Sequence, residues 1–365
     1  MKGGVEKKKK VFVGMSGGVY SSVSAGLLAK QGYDVTGVFI KVWEPNISTA
    51  RTSVCTWRED RRDAMRVAAH LGIPFVTIDL GEAYKRNVVD YMIREYREGR
   101  TPNPDVMCNK MIKFGAFFEW AISHGADIVA TGHYARVHDD HGVFRLYAGI
   151  DANKDQSYFL WTLAQEQLSK TLFPVGELEK SDVRKVARTM KLPNAEKKDS
   201  QGLCFIGKLD MREFLRDFIP EREGKIVDEA GEVIGTHYGA HLYTIGQRHG
   251  FVVTKKSASD TPYYVVGKDI DSNRVTVSHD KTNIANDRVM TTISLCDTHW
   301  ITKSAPEAGE KLSARVRYRQ PLRECVISYE SGATVVTFNE PQLAALGQSV
   351  VIYRGDECLG GGVIG

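Results

Sequence analysis

Two rhythms of apolar and polar residues run along the chain. In the first, short β-rich runs alternate with stretches of helical spacing. Val11 to Val13 is a strand-like run; the glycine turn of Met15 to Gly18 follows, and Val23, Ala25, Leu27 and Leu28 then trace a helix that stops at Gln31-Gly32. A second apolar run, Val35 to Ile40, completes a unit of βαβ length. The pattern then predicts helices at Arg62 to Leu71, Ala83 to Glu98 and Ile112 to Ser123, with strands at Pro74 to Leu80 and Asp127 to Thr131. Such alternation implies a doubly wound α/β fold, a parallel sheet with helices on both faces, whose ligands bind beyond the carboxyl ends of the strands.

The rhythm changes after about residue 208. Lys225 to Gly267 reads as a small, mostly β module, and strand-like runs at Val289 to Cys296, Lys311 to Arg319, Glu324 to Tyr329, Thr334 to Phe338 and Ser349 to Tyr353 predict a C-terminal β-barrel. The expected domains are 1–208, 209–282 and 283–365, consistent with a length of 365 residues.

Composition narrows the function classes. Hydrophobic residues are 42% and charged residues 26%, which excludes a disordered or fibrous chain. No apolar run reaches the ~18–20 residues of a membrane span, so a cytoplasmic protein without a membrane partner is expected. The six cysteines contain no C-x-x-C pair, which disfavours a structural zinc site or an iron–sulfur cluster. A formal charge of +4 permits a polyanionic partner without demanding one. In Ala314 to Arg319, however, Arg315, Arg317 and Arg319 fall at alternate positions, so a strand there would present a cationic stripe suited to phosphates.

The loop after the first strand carries the sharpest chemical signal. Ser16-Gly17-Gly18-Val19-Tyr20-Ser21-Ser22 stands where a strand hands over to a helix. Glycines that allow close approach, unpaired N–H groups of a first helical turn and serine hydroxyls together make an anion cradle. The G-K-[ST] ending of a Walker A loop is absent.

This loop resembles that of the PP-loop ATP pyrophosphatases. Within that superfamily four further motifs resemble the tRNA-specific 2-thiouridylases, the MnmA family: Arg100 to Lys110 (RTPNPDVMCNK), Ala130 to Tyr134 (ATGHY), Asn153 to Phe159 (NKDQSYF) and Gly202 to Gly207 (GLCFIG). The Tyr243 to Arg248 and Cys358 to Gly362 segments also fit, so the resemblance spans nearly the whole chain.

The resemblance implies replacement of the C2 oxygen of the wobble uridine of tRNA by sulfur, after adenylation of that oxygen by ATP. It implies that Cys108 is the nucleophile, that Cys204 carries a persulfide, that the two form a disulfide during turnover, and that Asp105 moves a proton. Lys110, Lys197 and Lys198 are candidates to favour the thiolate. It further implies that ATP, with Mg2+ not held in a tight protein site, lies against Gly14, Met15, Ser16, Gly17, Gly18, Val19, Tyr20, Ser21, Ile40 and Gly132. Asn103, Pro104 and Asp105 would surround a flipped base. His133, Lys154, Asp155, Gln156, Arg317, Tyr318 and Gln348 would touch the tRNA. A persulfide relay protein or cysteine desulfurase would be the second partner.

The chain departs from the family pattern at one position of the loop. Tyr20 stands where the pattern has aspartate, and a carboxylate there would coordinate the magnesium that accompanies the triphosphate, whereas a phenol is neutral and bulky at pH 7. Two functions follow from this, an ATP-dependent sulfurtransferase and a catalytically impaired tRNA-binding relative. An amidotransferase-type adenylating enzyme would leave the motifs around Cys108 and Cys204 without a reason.

Overall fold

The computed structural model describes residues 8–42, 57–199, 211–254, 261–280 and 289–365. Five strands form a fully parallel sheet in the order β3-β2-β1-β4-β7: β1 (Lys10–Gly14), β2 (Asp34–Lys41), β3 (Phe75–Asp79), β4 (Ile128–Ala130) and β7 (Thr171–Leu172). Side chains alternate across it as a pleat requires. Val11, Val13, Val35 and Phe39 pack on one face with Val23 and Leu28 of α1 (Val19–Lys30), Ala64 and Val67 of α2 (Trp57–Leu71), and Val183 and Ala187 of α5 (Lys180–Thr189). Val38 and Ile40 pack on the other with Met92 of α3 (81–97), Ile112 and Phe117 of α4 (104–123) and Phe214 of α6 (Met211–Arg216). The sheet is therefore wound on both faces. Both α3 and α4 contain a π-helical stretch, Lys85–Val89 and Asn109–Ala116, and the second begins one residue after Cys108.

A second, five-stranded sheet follows around a core of Ile226, Val265, Val275 and Val277: β8 (Gly224–Val227), β9 (Val233–His237), β10 (Val252–Val253), β11 (Tyr264–Asp269) and β12 (Arg274–Ser278). Then β13 (Val289–Trp300), β14 (Lys311–Arg315), β15 (Arg323–Glu330), β16 (Ala333–Leu343), β17 (Ser349–Arg354) and β18 (Glu357–Ile364) close into a six-stranded barrel through the β13–β18 pairing.

The strand expected at 311–319 ends at Arg315, where the chain bends. The cationic stripe is consequently not formed. Arg317 and Arg319 are exposed, but Arg315 is 8% exposed and donates to Asp155 and to the Tyr353 hydroxyl, 2.9 Å away. A guanidinium inside a protein requires such a partner, and Asp155, 160 residues earlier, provides it.

The hairpin of β5 (Ala135–Asp140) and β6 (Val143–Ala148) leaves the parallel-sheet part of the chain and pairs with β18, Cys358 opposite Leu146. It brings the 149–157 segment against the barrel, where Asp155 also accepts from the backbone N–H of Gly149 (3.1 Å) and Ser157 (3.0 Å). Among the described residues no helix is long and apolar enough to cross a membrane.

Candidate active site

Strand β1 ends at Gly14, and Ser16 to Gly18 turn the chain into α1. Gly17 has φ +76°, and a Cβ there would lie 2.2 Å from the Asp60 carbonyl oxygen. Only glycine fits both demands. A Cβ on Gly132, just beyond β4, would lie 2.6 Å from the backbone nitrogen of Ser21. The end of β4 thus sits directly on the first turn of α1, which has no side-chain cap and no acidic residue. Its N–H groups are left to a ligand, and the helix dipole favours an anion there. The Ser22 hydroxyl donates to the Gly18 carbonyl (2.8 Å), and the Ser21 hydroxyl accepts from the Ser16 N–H (3.2 Å), so the loop is internally braced. Asn194, missed by the sequence reading, donates to the Gly17 carbonyl and the Ser22 hydroxyl, each at 2.9 Å, and ties the 190–199 segment to the loop.

Tyr20, in the first turn of α1, donates to Asp199 at 2.6 Å. Asp199 also accepts from Lys154 (2.7 Å) and Arg184 (2.8 Å), and Lys180 lies 3.0 Å away. Burial pushes the Asp199 carboxyl up, but the bonds from Lys154, Tyr20 and Lys180 outweigh it and hold it well below the usual carboxylate range. Burial and the bond to Asp199 push the Tyr20 phenol far up, so it remains a donor. Its ring meets the edge of Tyr134 at a centroid distance of 5.0 Å.

A magnesium ion needs oxygen ligands. The Asp199 carboxylate is committed to three cations and a phenol. Among the described residues no group of three or more His, Cys, Asp or Glu is placed to hold a metal. The described residues therefore offer no cage that holds magnesium by protein ligands alone.

Cys108 lies on α4, which starts at Asn103-Pro104-Asp105. Asn103 caps the helix by accepting from the Val106 N–H (3.3 Å), Pro104 takes the first helical position, and Asp105 stands in the first turn. The Cys108 side chain is fully buried beside Ile112 and Phe117. Cys204 lies outside the described residues. Of the three lysines expected near the thiolate, Lys197 is committed to α2, with Asp60 and Asp63 each 2.7 Å away.

The segment before Cys108 is gripped from the other two β units. Gln348 donates to the carbonyls of Thr101 (2.8 Å) and Pro102 (2.9 Å), the Thr101 N–H donates to the Leu346 carbonyl (2.9 Å), and the hydroxyls of Thr101 and Thr244 are 3.2 Å apart. On the sheet side, the Phe117 ring of α4 would be 3.4 Å from a Cβ on Gly14. His133 is buried between Thr131 (2.6 Å to Nδ1) and Lys113 (3.2 Å to Nε2). Burial, with Lys113 beside it, holds its imidazole neutral. Nε2 therefore accepts from Lys113 and the Nδ1 proton is donated to Thr131.

The remaining expected residues are dispersed. Ile40 is buried in the sheet core, Gln156 accepts from the Tyr134 N–H (3.1 Å), and Tyr318 packs 4.4 Å from the Phe159 ring with Arg317 exposed next to it.

Comparison with known proteins now decides the family. Family models described as a tRNA methyl transferase HUP domain, a tRNA methyl transferase PRC-barrel domain and an aminomethyltransferase beta-barrel domain match residues 9–208, 212–279 and 290–364. The tRNA-specific 2-thiouridylase MnmA of Geobacillus thermodenitrificans is 48% identical over 358 residues, covering 97% of this chain and 94% of that protein. Those of Lacticaseibacillus paracasei and Nitrosomonas europaea are each 46% identical, covering 97% and 98% of this chain and 94% and 98% of theirs. The chain belongs to the MnmA family.

Proposed function

We propose that this chain is an ATP-dependent tRNA-uridine 2-sulfurtransferase of the cytoplasm. The uracil C2 oxygen attacks the α-phosphorus of ATP bound at the Ser16–Ser21 loop, and pyrophosphate leaves from the α1 N-terminus. The terminal sulfur of a Cys204 persulfide, charged by a relay protein or a cysteine desulfurase, forms the bond to C2. AMP departs with the former C2 oxygen. The Cys108 thiolate attacks Sγ of Cys204 and breaks the S–S bond that held the transferred sulfur. The two cysteines are left as a disulfide, which two electrons from an external thiol reset. Asp105, one turn before Cys108, moves the proton. Magnesium enters with the nucleotide as part of the substrate.

The observation that carries this reading is the placement of Cys108. Its helix packs through Phe117 against Gly14 at the base of the loop, and the half-buried Asn103 to Asp105 follow a junction held by Thr244 and Gln348. Asn103, Pro104 and Asp105 would take the flipped base and Lys154, Gln156, Arg317 and Tyr318 would line the tRNA path, while His133 and Asp155, both buried, and Gln348 would brace the segments behind it. The test is mass spectrometry of nucleosides from tRNA incubated with the protein, ATP, magnesium and a sulfide source, with 2-thiouridine as the expected product. The second reading, a tRNA-binding relative without thiolation, rests on Tyr20; tRNA retained by the protein with no 2-thiouridine would select it.

A further inference from the structure

The surroundings of Tyr20 are unusual in charge. Three cationic groups, Lys154, Lys180 and Arg184, converge on one carboxylate, Asp199, at 2.7, 3.0 and 2.8 Å. These three cations outnumber the nearby carboxylates, Asp199 and Asp151, whose Oδ2 accepts from the Lys180 N–H at 3.0 Å, and leave an excess of one. The cluster is half-buried, with side-chain exposures of 20% for Lys154, 16% for Arg184 and 23% for Asp199, so solvent screens that excess only in part. It stands one tyrosine side chain away from the anion-binding turn of α1, because the hydroxyl that reaches Asp199 belongs to Tyr20. Lys154 and Arg184 also lie 5.7 and 6.0 Å from the centre of the Tyr20 ring. One end of Tyr20 is therefore built into the loop and the other into the cluster.

Resting on the nucleotide reading above, we infer that Asp199 is an internal counter-anion, pinned by the Tyr20 hydroxyl, that occupies the cationic cluster until the polyphosphate of ATP displaces it. A triphosphate seated on the loop extends its outer phosphates past Tyr20 toward Lys154, Lys180 and Arg184. Arginine and lysine meet phosphate oxygens with the same donors they now give to Asp199, so the exchange keeps their hydrogen bonds. The carboxylate competes with the incoming ligand and lowers its apparent affinity. The Tyr20 bond strengthens that competition by fixing Asp199 where the cations are. Aspartate at position 20, as in the family pattern, would repel Asp199 rather than hold it. The latch is thus peculiar to a chain with tyrosine there.

Isothermal titration calorimetry with inorganic tripolyphosphate and with ATP, each in EDTA and in excess magnesium, tests the inference on the full chain. Asp199→Asn should bind tripolyphosphate in EDTA about fivefold or more tighter than the unmodified protein. Tyr20→Phe, which keeps the ring and its contact with Tyr134, should bind it about two- to threefold tighter. Arg184→Gln should bind about fivefold or more weaker. Equal or weaker binding by both Asp199→Asn and Tyr20→Phe would overturn the counter-anion. So would a loss on Asp199→Asn confined to the magnesium arm, which would make Asp199 a metal ligand. ATP bound by the unmodified chain but unaffected by either substitution would overturn only this inference, whereas no ATP binding by any of the proteins would overturn the nucleotide reading as well.

Discussion

Replacing Arg315 by methionine should destabilise the protein by about 3 kcal/mol, because it strands a carboxylate rather than because it removes a contact. Asp155 is 4% exposed and Arg315 8%, so neither charge has much water to fall back on. Methionine fills most of the volume of the arginine stem, which keeps the packing term small. Breaking a buried pair by removing one partner costs roughly 3–5 kcal/mol. The lower end applies here, since Asp155 keeps its bonds from the Gly149 and Ser157 N–H groups. The double variant Asp155→Asn/Arg315→Met removes both charges while the amide oxygen continues to accept from Gly149 and Ser157. It should lose about 1 kcal/mol, roughly 2 kcal/mol less than Arg315→Met alone, because no carboxylate is left stranded. Equilibrium urea unfolding followed by circular dichroism reads this out. With a slope of about 2–3 kcal/mol/M, the single variant should lower its midpoint by roughly 1 M or more, with the double variant in between. A midpoint shift below about 0.2 M for Arg315→Met, or a double variant as damaged as the single one, would refute the argument.

Other substitutions probe the nucleotide loop and the grip on the Cys108 segment. Gly17→Ala forces a left-handed backbone on alanine, costing roughly 1–2 kcal/mol, and drives its Cβ into the Asp60 carbonyl; ATP affinity by calorimetry should fall about tenfold or more. Gln348→Ala removes two hydrogen bonds worth about 1 kcal/mol each, so hydrogen exchange at Thr101 and Asn103 should accelerate and the KM for tRNA should rise roughly tenfold. His133 is neutral in the folded protein, with its pKa lowered, while the unfolded chain takes up the proton near pH 6.5. Its contribution is therefore complete above that pH and is lost as pH falls below it. The difference in stability between the unmodified protein and His133→Asn should shrink by up to about 1.4 kcal/mol per pH unit below 6.5, and a pH-independent difference would contradict the assignment.

Much of this was legible in the sequence because it is local. The strand–loop–helix unit of residues 10–41 declares itself through alternation, glycines and a period change, and the expected parallel sheet follows from it. The barrel strands are likewise readable from their own residues, apart from β18, where Gly360, Gly361 and Gly362 suggest a loop. The structure explains them: a Cβ on Gly360 would lie 2.1 Å from the His299 carbonyl, so the sheet closes only over glycine. The β5–β6 hairpin was overlooked although its signal was present, in alternating residues on either side of Asp140-His141-Gly142. What could not be read are the long-range pairings. Nothing near Arg315 announces Asp155, and nothing near Tyr20 announces Asp199, 179 residues away. Alternation placed Arg315 on an outer face, whereas a distant carboxylate and a chain bend put it inside. For the candidate site, the motif around Cys108 was evident, but the fastening of its loop by Thr244 and Gln348 appears only when the β units are packed together.

The central claim is that two thiols, of Cys108 and Cys204, pass sulfur to an adenylated uridine. Nucleoside mass spectrometry of tRNA treated with ATP, magnesium and persulfide donor should show 2-thiouridine from the unmodified protein. Cys108→Ser and Cys204→Ser should each reduce it by at least about a hundredfold while tRNA and ATP still bind. Undiminished 2-thiouridine from either serine variant would contradict the account.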